Sequence, residues 1–552
     1  MDNQSKARRA SFALSMVVLA IGVAACGPAA QPGAPQASPV GTQEKPLYGG
    51  TMFYAGLSGP SNLDVLSKTA TGDNRNSGGV YDRLVDYDYA DPDYKVDYKM
   101  VPGLAERWTI SPDGKTYTFF LHKGVKWHDG EDFTAADVVY TFNRIVEIKP
   151  SAYGYLVDMQ KIEAVDPYTV KLTLKAPDVT FLIGLGASNM GMQPKHLSDQ
   201  GADLKKVAVG TGPFKIESFD SKSRTVWVKN ENYWQQGLPY IDKVNIIWGL
   251  DKPSMLAAFT VGKVDNTWMI SKIDRDTVGK SNPDFKANEF EYAGPPIYMN
   301  TSKPPFNDLR VRQAINLAVD RQEFIKVNGY GSGSLSCFLP GAKTGWCLPG
   351  WDQLPGMRQP KDQDIAEARR LLAEAGYANG FDFKVLYSTA YTQAPPLVEL
   401  FAGEMKKIGL NAVLDPRDTP TYNDLLQVKK EYETASAQGA AWSDTTTKSN
   451  VYNWFHTKGA FTIDGVGNAE LDKLIIQQAV TTNLGERKKM WQQMEKIVLD
   501  NVWAIPFTDN KQFSLVQPWL KGPMVLNGDS WQGMTVPRMA TSWLDQEMLP
   551  QR

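Results

Sequence analysis

Hydrophobic positions along the 552-residue chain switch between two periods. In WTISPDGKTYTFFL, residues 108–121, Tyr117, Phe119 and Leu121 alternate behind a Pro-Asp-Gly turn, which predicts a β-hairpin. VDPYTVKLTL, residues 165–174, predicts a strand with Val170, Leu172 and Leu174 on one face. The period then lengthens elsewhere. Thr134 with Asp137 three residues on marks a helix start, and Val138, Phe142 and Ile145 follow at helical spacing. DLRVRQAINLAVDRQEFI, 308–325, predicts one helix capped by Asp308, with Val311, Ile315 and Ala318 turned inward. DIAEARRLLAEAGY, 364–377, repeats the pattern and stops at Gly376. Strands and helices alternate from there on, so the fold class is α/β. No internal repeat is visible, and the length suggests about three domains.

The stretch KGVKWHDGEDFTAADVVYTFNR, 123–144, gathers His128, Asp129, Glu131 and Asp132 into one short span. A metal site or an acid–base pair is one reading of it. Asp129-Gly130 is a turn signal, however, and acids ahead of a helix start suit the helix dipole. The four histidines, His122, His128, His196 and His456, include no pair at His-x-x-x-His spacing, so the residues are read as builders of the fold and no metal or cofactor is expected. GTGPF, 210–214, lacks the third glycine and the lysine of a phosphate loop, and Pro213 removes an amide; it is read as a tight turn. No Gly-x-Ser-x-Gly elbow supports a hydrolase. A formal charge of −2 provides no basic stripe for nucleic acid.

The N-terminus changes the picture. Lys6, Arg8 and Arg9 precede an apolar run from Ala10 to Val23, too short to span a bilayer, and then VAAC. A charged segment, an apolar segment and small residues before a cysteine resemble a bacterial lipoprotein signal, 1–25, which implies cleavage before Cys26 and a lipid on its thiol. Residues 26–46, rich in Pro, Ala, Gly and Gln, bury too little surface to fold and read as a disordered linker. Outside the cytoplasm, Cys337 and Cys347, with Pro and Gly between them, favour a disulfide over two free thiols.

Taken together, several stretches resemble the family 5 extracellular solute-binding proteins, which deliver peptides, nickel complexes and some oligosaccharides to ABC importers. GGTMFYA, SNLDVL, VYDRLVDYD (80–88), LAERWTISPDGKTYTFFLHKGVKWHDGEDFTAADVVYTF, VGTGPFKI, NENYWQQGLPYIDKV, PPFNDLRVRQAINLAVDRQ and ARRLLAEAGY occur in the family's order. The resemblance implies a two-lobed, type II periplasmic-binding-protein-like clamshell, α/β, with an extra subdomain in the first lobe and two hinge crossings, near Tyr298–Asn300 and Ile505–Phe507. It places the first lobe at 47–297, its subdomain at about 85–205, the second lobe at 298–505 and the return to the first lobe at 506–552. It implies a binding component rather than an enzyme, monomeric, held on the extracytoplasmic side of the bacterial membrane by its lipid. Its partners would be a small ligand and the ABC permease and ATPase subunits.

For the site, AAWSDTTTKSN, 440–450, matches the family's Gly-Trp-x-x-Asp segment with Trp442 and Asp444 one residue closer together and without the usual acidic-proline pair. In the peptide binders the matching aspartate pairs with the ligand's ammonium group, so Asp444 is the candidate anchor and Trp442 a candidate stacking surface. Thr69, Ala70 and Thr71 fall on the segment that lines the oligopeptide pocket, and Tyr153 matches a pocket tyrosine. No arginine precedes Trp442, which weakens recognition of a ligand carboxylate there. Peptide is the leading ligand class. Oligosaccharide is the rival, since 15 Trp and 23 Tyr could supply stacking platforms. A clamshell that reports ligand to a sensor kinase is the rival in role.

Overall fold

The computed structural model describes residues 45–56, 59–60, 62–66, 78–88, 99–267, 270–293, 296–327, 332–335, 337, 346–389, 394–436, 448–459, 464–506, 508–523 and 536–550. Contacts divide the chain into Met1–Lys45 and a compact unit, Pro46–Arg552. The export signal, Cys26 and all but the end of the linker lie outside the described residues, as do Thr69, Ala70, Thr71, Trp442 and Asp444.

Within Pro46–Arg552, the hydrophobic cores sort by chain segment. One core draws on residues from Met52 to Val278 and again on Phe513 to Leu544. Two others draw only on residues between Ile297 and Ile505. The first core packs under two four-stranded sheets. One orders Thr51–Ala55, Lys243–Ile247, Arg224–Lys229 and Phe214–Asp220, with only the first pair parallel. The other is antiparallel: Ala105–Ile110, Thr116–Leu121, Thr169–Leu174, Met159–Asp166. Between 297 and 505 a five-stranded sheet orders Asn411–Arg417, Asp382–Ser388, Thr434–Ser436, Ile297–Met299 and Ala504–Ile505. Its first three strands run parallel and are joined through helices, as crossover connections require.

The chain passes between these regions twice, and the two passages lie side by side. Lys286–Ala293 pairs antiparallel with Thr508–Val516 on one side, and Ile297 pairs with Ile505 on the other. Arg321 fixes the returning passage: its Nε donates to the Pro506 carbonyl at 2.9 Å and its Nη2 to Asn316 Oδ1 at 2.7 Å. The short strand Ser334–Leu335 also pairs with Thr508 and Asp509. The disulfide between Cys337 and Cys347 follows directly, with a Cα–Cα distance of 5.9 Å. Trp346, beside it, packs edge-on against Trp491 at 5.9 Å.

Local readings of the chain hold where caps and turns dictate them. The 108–121 hairpin forms around its Pro-Asp-Gly turn. Thr134 and Asp137 form a capping box for helix Ala135–Ile148, which buries Val138, Phe142 and Ile145 completely. Burying each such side chain stabilises by roughly 1.5–3 kcal/mol. Helix Asp362–Glu374 ends in a reverse turn at Gly376, whose φ of +92° suits glycine. Two expectations need correction. The 165–174 stretch is not one strand: Val165 and Asp166 end the preceding strand, and only Thr169–Leu174 continues, its Asp166 carboxylate accepting from the Tyr168 amide at the bend. The helix expected over 308–325 breaks after Ala318, because Val319 is extended and Asp320 starts a second helix, Arg321–Val327. Asp320 Oδ1 accepts from Gln322 N at 3.0 Å, a new cap inside a continuous apolar pattern.

Candidate functional site

The residues that looked most like chemistry are structural. His128 Nδ1 accepts from the Gly210 amide at 3.2 Å, so its proton sits on Nε2, which donates to the Gly212 carbonyl at 3.0 Å. Burial, helped by the Lys215 charge and opposed by the Gly212 bond and Asp129, lowers its pKa to about 4. Asp129 pairs with His196 at 2.8 Å and Asp132 with Lys126 at 2.7 Å. Glycine is required at 210, where a Cβ would come within 1.8 Å of the Val80 carbonyl oxygen. The GTGPF turn therefore receives both the KWHDG and the VYDRL stretches. Asp82, buried, accepts from Thr211 Oγ1 at 2.9 Å, Trp234 Nε1 at 3.0 Å and Tyr233 Oη at 3.3 Å. Burial raises its carboxyl pKa against those three donors. Four sequence blocks, around residues 82, 128, 211 and 233, thus meet around one carboxylate and one imidazole.

Tyr153 is the one expected ligand residue inside the described chain. It sits in a 3-10 turn, Ser151–Tyr155, entered through Pro150, whose carbonyl accepts the Tyr153 amide at 2.9 Å. Its ring is half-buried, and Lys149 Nζ lies 5.8 Å from the ring centre. Tyr155 seats the turn by packing over Gly184, where a Cβ would meet its ring at 2.6 Å. The turn packs against helix Lys448–Phe455. That helix begins four residues after Asp444.

Behind this helix the five-stranded sheet presents aromatic side chains. The Tyr298 ring stacks on Trp454, centroids 6.1 Å apart and planes 13° from parallel. Tyr422 donates from its hydroxyl to the Ser436 carbonyl at 3.0 Å, at the end of the strand that leads toward residues 437–447. Asn300 Nδ2 donates to the Tyr432 carbonyl at 3.2 Å and ties the outgoing passage to the same strand. Trp127, Trp227, Trp248, Trp346, Trp454, Trp491, Trp503 and Trp543 are all buried, so these rings build cores and offer no stacking surface. Among the described residues no cluster of His, Cys, Asp and Glu could hold a metal ion, and no helix is long and apolar enough to cross a membrane.

Two lobe cores joined by paired strands define a type II periplasmic binding protein. The profile of the bacterial extracellular solute-binding proteins, family 5 middle, matches residues 99–462, and the chain belongs to that family. Among curated relatives it is 29% identical over 549 residues to heme-binding protein A of Haemophilus influenzae, covering 92% of this chain and 95% of the relative. It is 26% identical over 514 residues to di/tripeptide-binding protein 1 of Pseudomonas aeruginosa, covering 86% and 91%. Among solved structures, it resembles the periplasmic binding protein DppA of Helicobacter pylori in complex with the peptide STSA, with a TM-score of 0.75, 23% identity and coverage of 91% and 99%. The binding protein AgaA of A. tumefacien R10, in complex with agropinic acid, gives a TM-score of 0.77 at 24% identity, covering 91% of this chain and 100% of that one. The expected class and fold are as the sequence predicts: a solute-binding component of an ABC importer, extracytoplasmic, in a family of transport proteins rather than enzymes.

Proposed function

We propose that this protein is a lipid-anchored, monomeric receptor that captures a peptide-like solute between its lobes and hands it to an ABC permease. Cys26 carries the lipid, and residues 26–46 are the tether. The lobes follow the division at 47–297 with 506–552, against 298–505, the subdomain occupying about 85–205. Asp444 binds the ligand's ammonium group, Trp442 packs on its body, and Tyr153 with Thr69, Ala70 and Thr71 line the opposite wall. The observation that supports this reading is the packing of the Tyr153 turn against helix Lys448–Phe455, which begins four residues after Asp444 in the sequence. The naming of the Pseudomonas aeruginosa relative for di- and tripeptides supports a short, peptide-like ligand.

A charge-assisted hydrogen bond in a closed cleft is worth roughly 1.5–3 kcal/mol, so Asp444→Asn should weaken binding of free-amino peptides about 10- to 150-fold. Calorimetry with short peptides, their N-acetylated forms, hemin and gluco- or xylo-oligosaccharides tests it. Peptide affinity indifferent to both acetylation and the substitution would remove Asp444 from the site.

A further inference from the structure

We infer that the turn at Asp178–Thr180 and the C-terminal end of helix Ala469–Val480 form a latch that holds the two lobes together, with the extra subdomain acting as one jaw. The latch rests on the two-lobe reading proposed above but not on the ligand's identity. Its central contact is a backbone hydrogen bond from Val179 N–H to the Ala479 carbonyl at 2.7 Å, joining positions 300 residues apart.

Both sides are built before they meet. On the subdomain side, Asp178 Oδ1 accepts from Thr180 N at 2.8 Å and from Thr180 Oγ1 at 2.6 Å, while the Asp178 carbonyl accepts from Tyr117 Oη at 2.9 Å. The neighbouring polar groups of the turn are thus engaged within the subdomain, and the Val179 amide points to the other lobe. On the helix side, the last carbonyls of a helix have no partner within it. Thr481 satisfies two of them, donating from Oγ1 to Gln477 O at 2.8 Å and from N to Gln478 O at 3.3 Å. The next carbonyl, Ala479, is the one that takes Val179. The helix end is held in place by Gln478, wholly buried, whose Oε1 accepts from Arg487 Nε at 3.0 Å and Trp491 Nε1 at 3.1 Å. The contact of the Tyr153 turn with helix Lys448–Phe455 closes the same face of the subdomain onto the same lobe.

One amide-to-carbonyl bond shifts a two-state equilibrium by about 2- to 13-fold, enough to bias closure without locking it. The latch therefore sets how often the lobes meet in the absence of ligand, and with it the apparent affinity for any ligand that binds the closed state.

The test uses the full mature chain without ligand. Val179→Cys with Ala479→Cys, treated with a mild oxidant, should crosslink at least several-fold faster than the control pair Val165→Cys with Ala479→Cys, the site of crosslinking being read by peptide mapping. Val165 is 59% exposed, near the end of a strand of the same subdomain. Val179→Pro, which removes the donor, should raise the radius of gyration in small-angle scattering while near-ultraviolet dichroism stays native. Crosslinking of the test pair no faster than the control overturns the latch. So does a natively folded Val179→Pro protein whose scattering matches the wild type. If the proline variant does not fold, the crosslinking comparison decides alone. Peptide calorimetry is independent of both readouts, so loss of the Asp444 assignment and loss of the latch are separate results.

Discussion

His128 makes the structural reading of KWHDG quantitative. Its Nδ1 must be unprotonated to accept the Gly210 amide, and its pKa lies at about 4, against 6.5 for a free histidine. Between those values the unfolded chain binds a proton that the folded chain refuses. Stability from this residue is therefore complete above pH 6.5 and is lost as pH falls toward 4. With those two pKa values, linkage gives a loss of about 2 kcal/mol between pH 7 and pH 4.5, an upper bound because part of the residue reaches solvent. The perturbation is His128→Ala. At pH 7 it removes two hydrogen bonds to the GTGPF turn, worth about 0.5–1.5 kcal/mol each, and leaves a small cavity, for a cost of roughly 2–4 kcal/mol. At pH 4.5 the wild type has already surrendered most of its advantage, so the difference between the two proteins should shrink by about 1–2 kcal/mol. Urea unfolding of both proteins at both pH values, followed by tryptophan fluorescence, measures this double difference, in which other titrating groups cancel. A stability gap independent of pH would refute the neutral, doubly bonded imidazole. A gap that widens at low pH would show that His128 is charged in the fold.

Other consequences are as specific. Asp64 is buried and meets Arg144 through both oxygens, at 3.1 and 2.6 Å, and Gln193 at 2.6 Å. Burial raises its pKa, but Arg144, the Leu66 amide and Gln193 outweigh it and hold the carboxyl below its ordinary value. Its contribution is thus present above the usual carboxylate range and lost as pH falls through the lowered value. Asp64→Ala should cost about 3–5 kcal/mol at pH 7 by stranding Arg144, measured as a shift in urea midpoint. Reducing the Cys337–Cys347 bond, which closes a loop of sequence separation 10, should cost about 3 kcal/mol in the chain-entropy model, read by unfolding with and without reductant. Cys26→Ala, expressed in a host with lipoprotein processing, should move the protein from the membrane fraction to the soluble one; retention at wild-type levels with no diacyl adduct would remove the anchor.

Much of the fold was legible because local signals and burial agreed. Thr134, Asp137 and the 3.6-residue spacing of Val138, Phe142 and Ile145 specify one helix at every level. The break at Val319 was hidden because the apolar pattern runs straight through it. Asp320 with Glu323 three residues on was the signal that could have revealed a second start. The cleft was legible only in part. Tyr153 was singled out by the resemblance alone, and its turn packs on helix Lys448–Phe455. The Val179–Ala479 contact left no trace in side-chain types, since both partners are backbone atoms and any residue but proline could donate. Arg321 at Pro506 was likewise invisible, because its acceptors are carbonyls set by tertiary structure.

The most direct measurement of the central claim is native mass spectrometry of the protein purified gently from its own host, with release and fragmentation of whatever it carries. The account predicts a one-to-one adduct that fragments as a short peptide and reacts with an amine-specific reagent, and that is lost from the Asp444→Asn protein. An adduct that fragments as a sugar ladder or as a porphyrin, or a peptide retained undiminished by Asp444→Asn, would contradict it.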